Sequence, residues 1–286
     1  MQSQPQNIFP PQHQNRQPGR ESEMNPPPIY DNPAYKPSDK LAGKKALITG
    51  GDSGIGRAIA LTYAKEGADV AIVHLCENSD AQETARAVQG VGRQCVVIQA
   101  DLRLEKNAAD AVQKAVTMLG GLDVLINNAA VQYPQNSLLD TTAEQLLTTF
   151  ESNFFSCFYM TKAALPHLAK GSAIINTASI TAFEGDPTLI DYSSTKGAIV
   201  SFTRSMALSL MNMGIRVNAV APGPVWTPLT VSSFSSQEVQ TFGSASPMKR
   251  AAQPYELAPA YVFLGCDDSS NVSGQVLHVN GGTVIN

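Results

Sequence analysis

From Leu41 onward, short β-branched and aliphatic runs alternate with longer stretches of helical period, and that alternation leaves few folds open. Seven runs read as strands: Lys45–Thr49, Val70–Leu75, Gln94–Gln99, Val124–Asn127, Ala173–Thr177, Arg216–Val220 and Val276–Val279. Helical period falls near 55–66, 80–90, 105–119, 142–169, 190–212 and 255–264. Strands joined through a helix pair in parallel, because the crossover returns the chain to start again at the same end of the sheet. The pattern therefore predicts an α/β fold: residues 41–286 as a single doubly wound (Rossmann) domain, with a parallel seven-stranded sheet and helices on both faces. Residues 224–254 interrupt it, being rich in Ser, Thr and Pro with weak apolar period. A loop of that length inside a compact domain is expected to be a lid.

Residues 1–40 are of another kind. They hold nine of the 18 prolines and six glutamines, with few large aliphatics. Such a segment buries too little apolar surface to offset its ordering entropy, so a disordered or extended arm is expected. Its spaced apolar residues, Ile8-Phe9, Ile29-Tyr30 and Tyr35, allow its last third to lie along the body or a neighbouring subunit.

Charge and cysteine usage exclude several classes of function. With 20 basic and 24 acidic residues, a net −4, there is no electrostatic case for nucleic acid or an anionic membrane. No run approaches the ~18 apolar residues of a membrane span, and the first 30 residues contain no signal-peptide core. Cys76, Cys95, Cys157 and Cys266 are scattered, never as CxxC, and His13, His74, His167 and His278 lack metal-ligand spacing. A cytoplasmic protein with reduced cysteines and no catalytic metal is expected.

Two constellations carry chemistry. The first strand is followed directly by Thr49-Gly50-Gly51-Asp52-Ser53-Gly54-Ile55-Gly56 and then a helix. Glycines at such a turn let backbone approach a pyrophosphate, and the helix N-terminus offers it free N–H groups. No Lys-Ser/Thr follows the last glycine, so this is not a phosphoryl-transfer loop. The second is Tyr192-Ser193-Ser194-Thr195-Lys196, which sets a phenol and an ammonium one helical turn apart on one face. Bringing a phenol of pKa ~10 to pH 7–8 asks for roughly 3–4 kcal/mol, expected here from Lys196 together with a bound cofactor cation. Ser179 stands just after the fifth strand, where its hydroxyl can meet a substrate oxygen.

From Leu41 to Asn286 the sequence resembles the short-chain dehydrogenase/reductases of the TGxxxGxG / NNAG / YxxxK type. Thr49–Gly56 matches the cofactor turn, and Asn127-Asn128-Ala129-Ala130 matches NNAG with Ala for the last Gly. Ser179 precedes Tyr192 by the family's 13 residues, Asn153 lies in the long fourth helix, and Pro222-Gly223-Pro224-Val225-Trp226-Thr227 is similar to the PG motif beside the nicotinamide. The arm plus GGDSGIG looks like the bacterial glucose/ribitol dehydrogenase homologues or general-stress oxidoreductases. The resemblance implies an oxidoreductase moving hydride between a nicotinamide cofactor and an alcohol or carbonyl group. Tyr192 would be the general acid/base, Lys196 its partner and a ribose ligand, Ser179 the brace of the substrate oxygen, and Asn153 the holder of a relay water. It also implies cofactor contacts from Gly50, Asp52, Ser53, Gly54, Ile55 and Gly56, from Asp101 and Leu102 beside the adenine, and from Asn128 and Ala129. Pro222, Gly223, Val225 and Thr227 complete the set, while Asn127 braces strands. A homotetramer is the family expectation.

The cofactor is expected to be NAD or NADP, with NAD favoured. An NAD site usually ends its second strand on an acid, and here His74 and Leu75 stand there. An NADP site would want Arg or Lys at that place or just before Gly54; instead Asp52 would repel an added phosphate. The expected substrate is a small aldehyde, ketone, polyol or sugar. The alternatives are a 3-oxoacyl carrier-protein-type reductase, for which Lys249-Arg250 is the basic patch, and a non-catalytic dinucleotide sensor or scaffold.

Overall fold

The computed structural model describes residues 7–285; the first six residues of the Pro/Gln-rich segment and Asn286 lie outside the described residues. The strands are β1 (Lys45–Thr49), β2 (Asp69–His74), β3 (Cys95–Gln99), β4 (Val124–Asn127), β5 (Ala173–Thr177), β6 (Arg216–Pro222) and β7 (Val276–Val279). They form one parallel sheet in the order β3-β2-β1-β4-β5-β6-β7, the doubly wound fold the alternation predicted. The helices are α1 (Gly54–Lys65), α2 (Asn78–Gly90), α3 (Glu105–Leu119), α4 (Ala143–Phe150), α5 (Ser156–Ala164), α6 (Thr181–Glu184), α7 (Ile190–Leu210), α8 (Pro228–Ser233), α9 (Ser236–Thr241) and α10 (Pro254–Gly265).

Both faces of the sheet are covered, and the period of two along each strand sorts side chains between two cores. Ala46, Ile48, Val70, Ile72 and Ile175 face Ile59 and Tyr63 of α1 and Leu257 and Tyr261 of α10. Leu47, Ala71, Val73 and Ile174 face Ala108 and Val112 of α3, Met160 of α5 and Ala207 of α7. A strand buried on both sides can spare no polar position, which is why these strands read as nearly unbroken apolar runs.

The single helix expected over 142–169 is a correction. After α4 the chain makes a π turn over Glu151–Phe155, with the Ser156 N–H donating to Glu151 O, before α5 resumes the α-helix; a 3-10 turn at Leu165–His167 follows. The amide of Asn153, inside the π turn, holds Val131 and Thr195. Apolar spacing does not register such a polar tether, and π turns of this sort concentrate at functional sites.

The expected lid at 224–254 contains α8 and α9, and a single bridge pairs Val225 with Ala252. Residues 7–40 make one 3-10 turn (Glu21–Glu23) and otherwise lie extended along the body. Phe9 stacks on Trp226 with ring centroids 3.7 Å apart, Trp226 Nε1 donates to Pro26 O (2.9 Å), and Tyr35 donates to Glu66 (2.5 Å). The arm thus uses a few sockets and many hydrogen bonds in place of an apolar core of its own. Its nine prolines reduce the chain entropy that docking has to overcome.

Candidate active site

The sheet reverses winding direction between β1 and β4, and the loops at the carboxyl ends of these two strands part there to leave a crevice. Thr49, ending β1, ties the loops together: its hydroxyl accepts from the N–H groups of Asn128 (2.9 Å) and Ala129 (3.1 Å), and Asn128 Nδ2 donates to Thr49 O and Gly50 O, each at 3.2 Å. Gly56 allows α1 to start against the turn, for a Cβ there would lie 1.9 Å from Gly50 O. Backbone cannot yield by that much, so Gly56→Ala is expected to destabilise the fold by roughly 3 kcal/mol or more and to abolish dinucleotide binding. Thermal melts and cofactor titration would check both effects.

A cavity of about 660 Å³ opens over this turn. Its lining includes Gly50, Asp52, Ser53, Gly54, Ile55, His74, Leu75, Asp101, Leu102, Asn128, Ala129, Pro222, Gly223, Val225 and Thr227, as well as Ser179, Tyr192 and Lys196. Of the residues singled out from sequence, Gly56 sits behind the turn and Asn153 outside the lining. A dinucleotide fits what is present. The glycine cradle has no room for side chains, the 12-residue α1 points its N-terminus at the turn, and His74, 3% exposed, has a buried Nδ1 with no partner. Burial lowers the His74 pKa, with nearby Glu77 opposing, so its imidazole is neutral at pH 7.

The chemical end of the cavity gathers Ser179, Tyr192 and Lys196. The Ser179 Oγ accepts from the N–H and hydroxyl of Thr181, each at 3.1 Å. Lys196 is 2% exposed, donates from Nζ to Thr177 O (2.8 Å) and lies 5.4 Å from the centre of the Tyr192 ring. Burial pushes Tyr192 up to about 12 and Lys196 down to about 8. Within the protein alone the phenol is therefore not activated as a base, because the dry floor that concentrates the lysine's field also penalises both charges. Asn153, 1% exposed, accepts at Oδ1 from Val131 N (2.8 Å) and donates from Nδ2 to Val131 O (2.9 Å) and Thr195 Oγ1 (3.2 Å). Its amide fixes the loop after β4 that walls the cavity. Asn127 Nδ2 donates to Asn176 Oδ1 (2.9 Å) and Thr161 Oγ1 (3.1 Å), bracing β4 against β5.

The sequence reading missed the arm's part in this site. Gln17, Pro18 and Gly19 line the cavity, and Glu21 reaches the glycine turn, where its Oε2 accepts from Gly54 N at 2.6 Å. The contacts are polar and long-range, so apolar patterning carried no sign of them.

Comparison with known proteins agrees with this geometry. A family profile described as enoyl-(acyl carrier protein) reductase matches residues 50–284. General stress protein 39 of Bacillus subtilis is 56% identical, covering 97% of each chain. Carrot (Daucus carota) glucose and ribitol dehydrogenase is 51% identical over 97% of this chain and 98% of its own. The chloroplastic NADPH-dependent aldehyde reductase 1 of Arabidopsis thaliana is 49% identical over 96% and 98%. Among solved structures, a short-chain dehydrogenase from Burkholderia cenocepacia in complex with NADP superimposes with a TM-score of 0.80 at 31% identity, covering 85% of this chain and 99% of that one.

Proposed function

The chain belongs to the short-chain dehydrogenase/reductase family, and from that premise we propose that it interconverts a small alcohol and its carbonyl compound, with Tyr192 as general acid/base. The observation that carries this reading is the meeting of Ser179, Tyr192 and Lys196 in the same cavity as the glycine turn. A nicotinamide cofactor, when bound, supplies or accepts the hydride. In reduction the neutral phenol of Tyr192 gives its proton to the carbonyl oxygen as charge develops there, and the Ser179 hydroxyl donates a second hydrogen bond to that oxygen. Lys196 has one N–H on Thr177 O and keeps its others for the cofactor's ribose and for returning a proton to the phenol. Asn153 keeps the wall after β4 in place around the reacting groups.

The grounds for favouring NAD weaken in three dimensions, and the proposal extends to NADP(H) as the preferred cofactor. Asp52 is 6% exposed and burial pushes its carboxyl up to about 6, so at pH 7 it is largely ionised, but as a buried group and not as a freely exposed anion. The arm also brings Arg16 Nη2 to within 3.8 Å of Cys76 Sγ, two residues past the end of β2. That brings a guanidinium, paired with Glu77, to a region where the local sequence offered none, and the names of two similar proteins carry NADP or NADPH. Apolar walls from Leu229, Phe234 and Phe242 beside Glu184 and Asp186 suit a small aldehyde or polyol. An acyl-carrier substrate is less well served, because Arg250 is held by both oxygens of Glu256 at 2.7 Å. The proposal includes self-association through α5 and α7, where Phe158 (43% exposed) and Leu208 (73% exposed) leave an apolar face, a point sedimentation would check.

The test is parallel titration with NADH and NADPH, followed by aldehyde reduction and polyol oxidation monitored at the nicotinamide absorbance. Tighter NADPH binding with turnover of small aldehydes is expected. A panel without turnover on a protein that binds cofactor would sink the catalytic reading and leave the dinucleotide sensor. Tighter NADH binding would reverse the cofactor preference.

A further inference from the structure

The arm meets the cavity on three sides within six residues. On one side Arg16 pairs with Glu77, just past β2, at 2.5 Å. On another, the Gln17 amide reaches the loop after β4: it donates to Gln132 O, accepts from Gln132 N (3.2 Å), and its Nε2 lies 3.4 Å from Ser233 Oγ at the end of α8. At the base, Glu21 sits on the Gly54 N–H and pairs with Arg57, while its own N–H donates to Asp80 (2.7 Å). Between these anchors, Gln17, Pro18 and Gly19 are themselves part of the cavity wall, and Gly19 packs so near α8 that a Cβ would lie 2.6 Å from Pro228 O.

Resting on the reading of this cavity as a nicotinamide dinucleotide site, we propose that residues 16–21 belong to the site as a strap over the glycine turn, and that this strap sets how fast the cofactor leaves. A ligand lying along the turn from His74 to Tyr192 passes beneath Gln17–Gly19, since these residues span the cleft between β2 and the loop after β4. The strap itself brings no net negative charge, because Arg16 and Arg20 outnumber Glu21, whose carboxylate shares the buried guanidinium of Arg57 with Asp80. Release then requires the Gln17 contacts to part, whereas hydride transfer does not.

The experiment measures dissociation of NADPH and of NADH from the full chain by stopped-flow displacement, using wild type, Gln17→Ala and Tyr35→Phe. Tyr35 anchors the arm on Glu66, away from the cavity, and is the control for loosening the arm in general. Gln17→Ala is expected to release cofactor roughly tenfold faster at an unchanged melting temperature, and Tyr35→Phe to release it at the wild-type rate. Trypsin cleavage after Arg16 and Arg20 provides a second measurement that needs no substitution, and saturating cofactor is expected to slow it at least severalfold. Release within twofold of wild type in Gln17→Ala, or cleavage unaffected by cofactor, overturns the strap. A wild type that binds neither cofactor overturns the dinucleotide reading instead.

Discussion

Tyr192→Phe is expected to lower turnover by about 10³-fold or more while cofactor affinity stays within a few-fold of wild type. The magnitude follows from losing the proposed proton donor, since general acid–base groups contribute roughly 10²–10⁴-fold. Ser179 can still donate a hydrogen bond there, and for that reason activity is reduced instead of erased. The phenol is buried, so removing its hydroxyl leaves the Lys196–Thr177 contact and the glycine turn untouched. A direction dependence accompanies the loss. With burial holding the phenol up to about 12, wild-type Tyr192 is in its acid form through the neutral range. Aldehyde reduction should then be nearly flat between pH 6 and 8, whereas alcohol oxidation should climb with pH because it draws on the phenolate. Steady-state rates in both directions would check this, and an oxidation rate that fell with rising pH would remove Tyr192 from the role of base.

Lys196→Met should abolish turnover and raise stability in the same stroke. Burial holds the Lys196 ammonium at about 8 instead of its ordinary 10.5, a penalty on the charged form of about 3 kcal/mol at neutral pH. Methionine fills similar volume without a charge to desolvate, and loses only the bond to Thr177 O, so a net gain of about 1–3 kcal/mol is expected. The pH dependence has a definite sign. Between pH 8 and 10.5 the folded protein gives up this proton while the unfolded chain keeps it, so wild-type stability gains from Lys196 as pH rises through that window. The advantage of the methionine variant should therefore be largest below pH 8 and vanish above about 10.5, as denaturant melts at several pH values would show. A loss of stability at pH 7 would mean that the lysine's contacts outweigh its burial.

How far the molecule could be read from its sequence depends on the range of the forces involved. Strands such as Val124–Asn127 and Ala173–Thr177 were legible to the residue, because a doubly buried strand is apolar throughout and its ends are marked by Asn, Ser or Gly. The glycine turn and the Tyr192–Lys196 pair were legible because their geometry is local. The π turn at Glu151–Phe155 was not, since what holds it is an amide reaching residues 22 and 42 positions away. Nor was the acidity of Tyr192, because a lysine one turn along says nothing about how much water the fold removes from both groups. The case for NAD drawn from Asp52 weakens for the same reason: Asp52 looks like an exposed anion in the sequence and is buried in the fold. The arm was the least legible part, as its composition describes how it behaves alone and its docking depends on partners elsewhere in the chain.

Some of those partners stand late in the sequence. Pro26 is held by Trp226, Ile29 donates to Gln253, and Lys40 pairs with Asp268, contacts that span 200, 224 and 228 residues. On the ribosome the arm is therefore made well before part of the surface it will occupy. A sticky segment in that position would be exposed to every neighbouring nascent chain. Its Pro/Gln-rich make-up thus has a consequence during translation: a segment with few large aliphatics offers little for other chains to stick to before the later-made part of its surface is available.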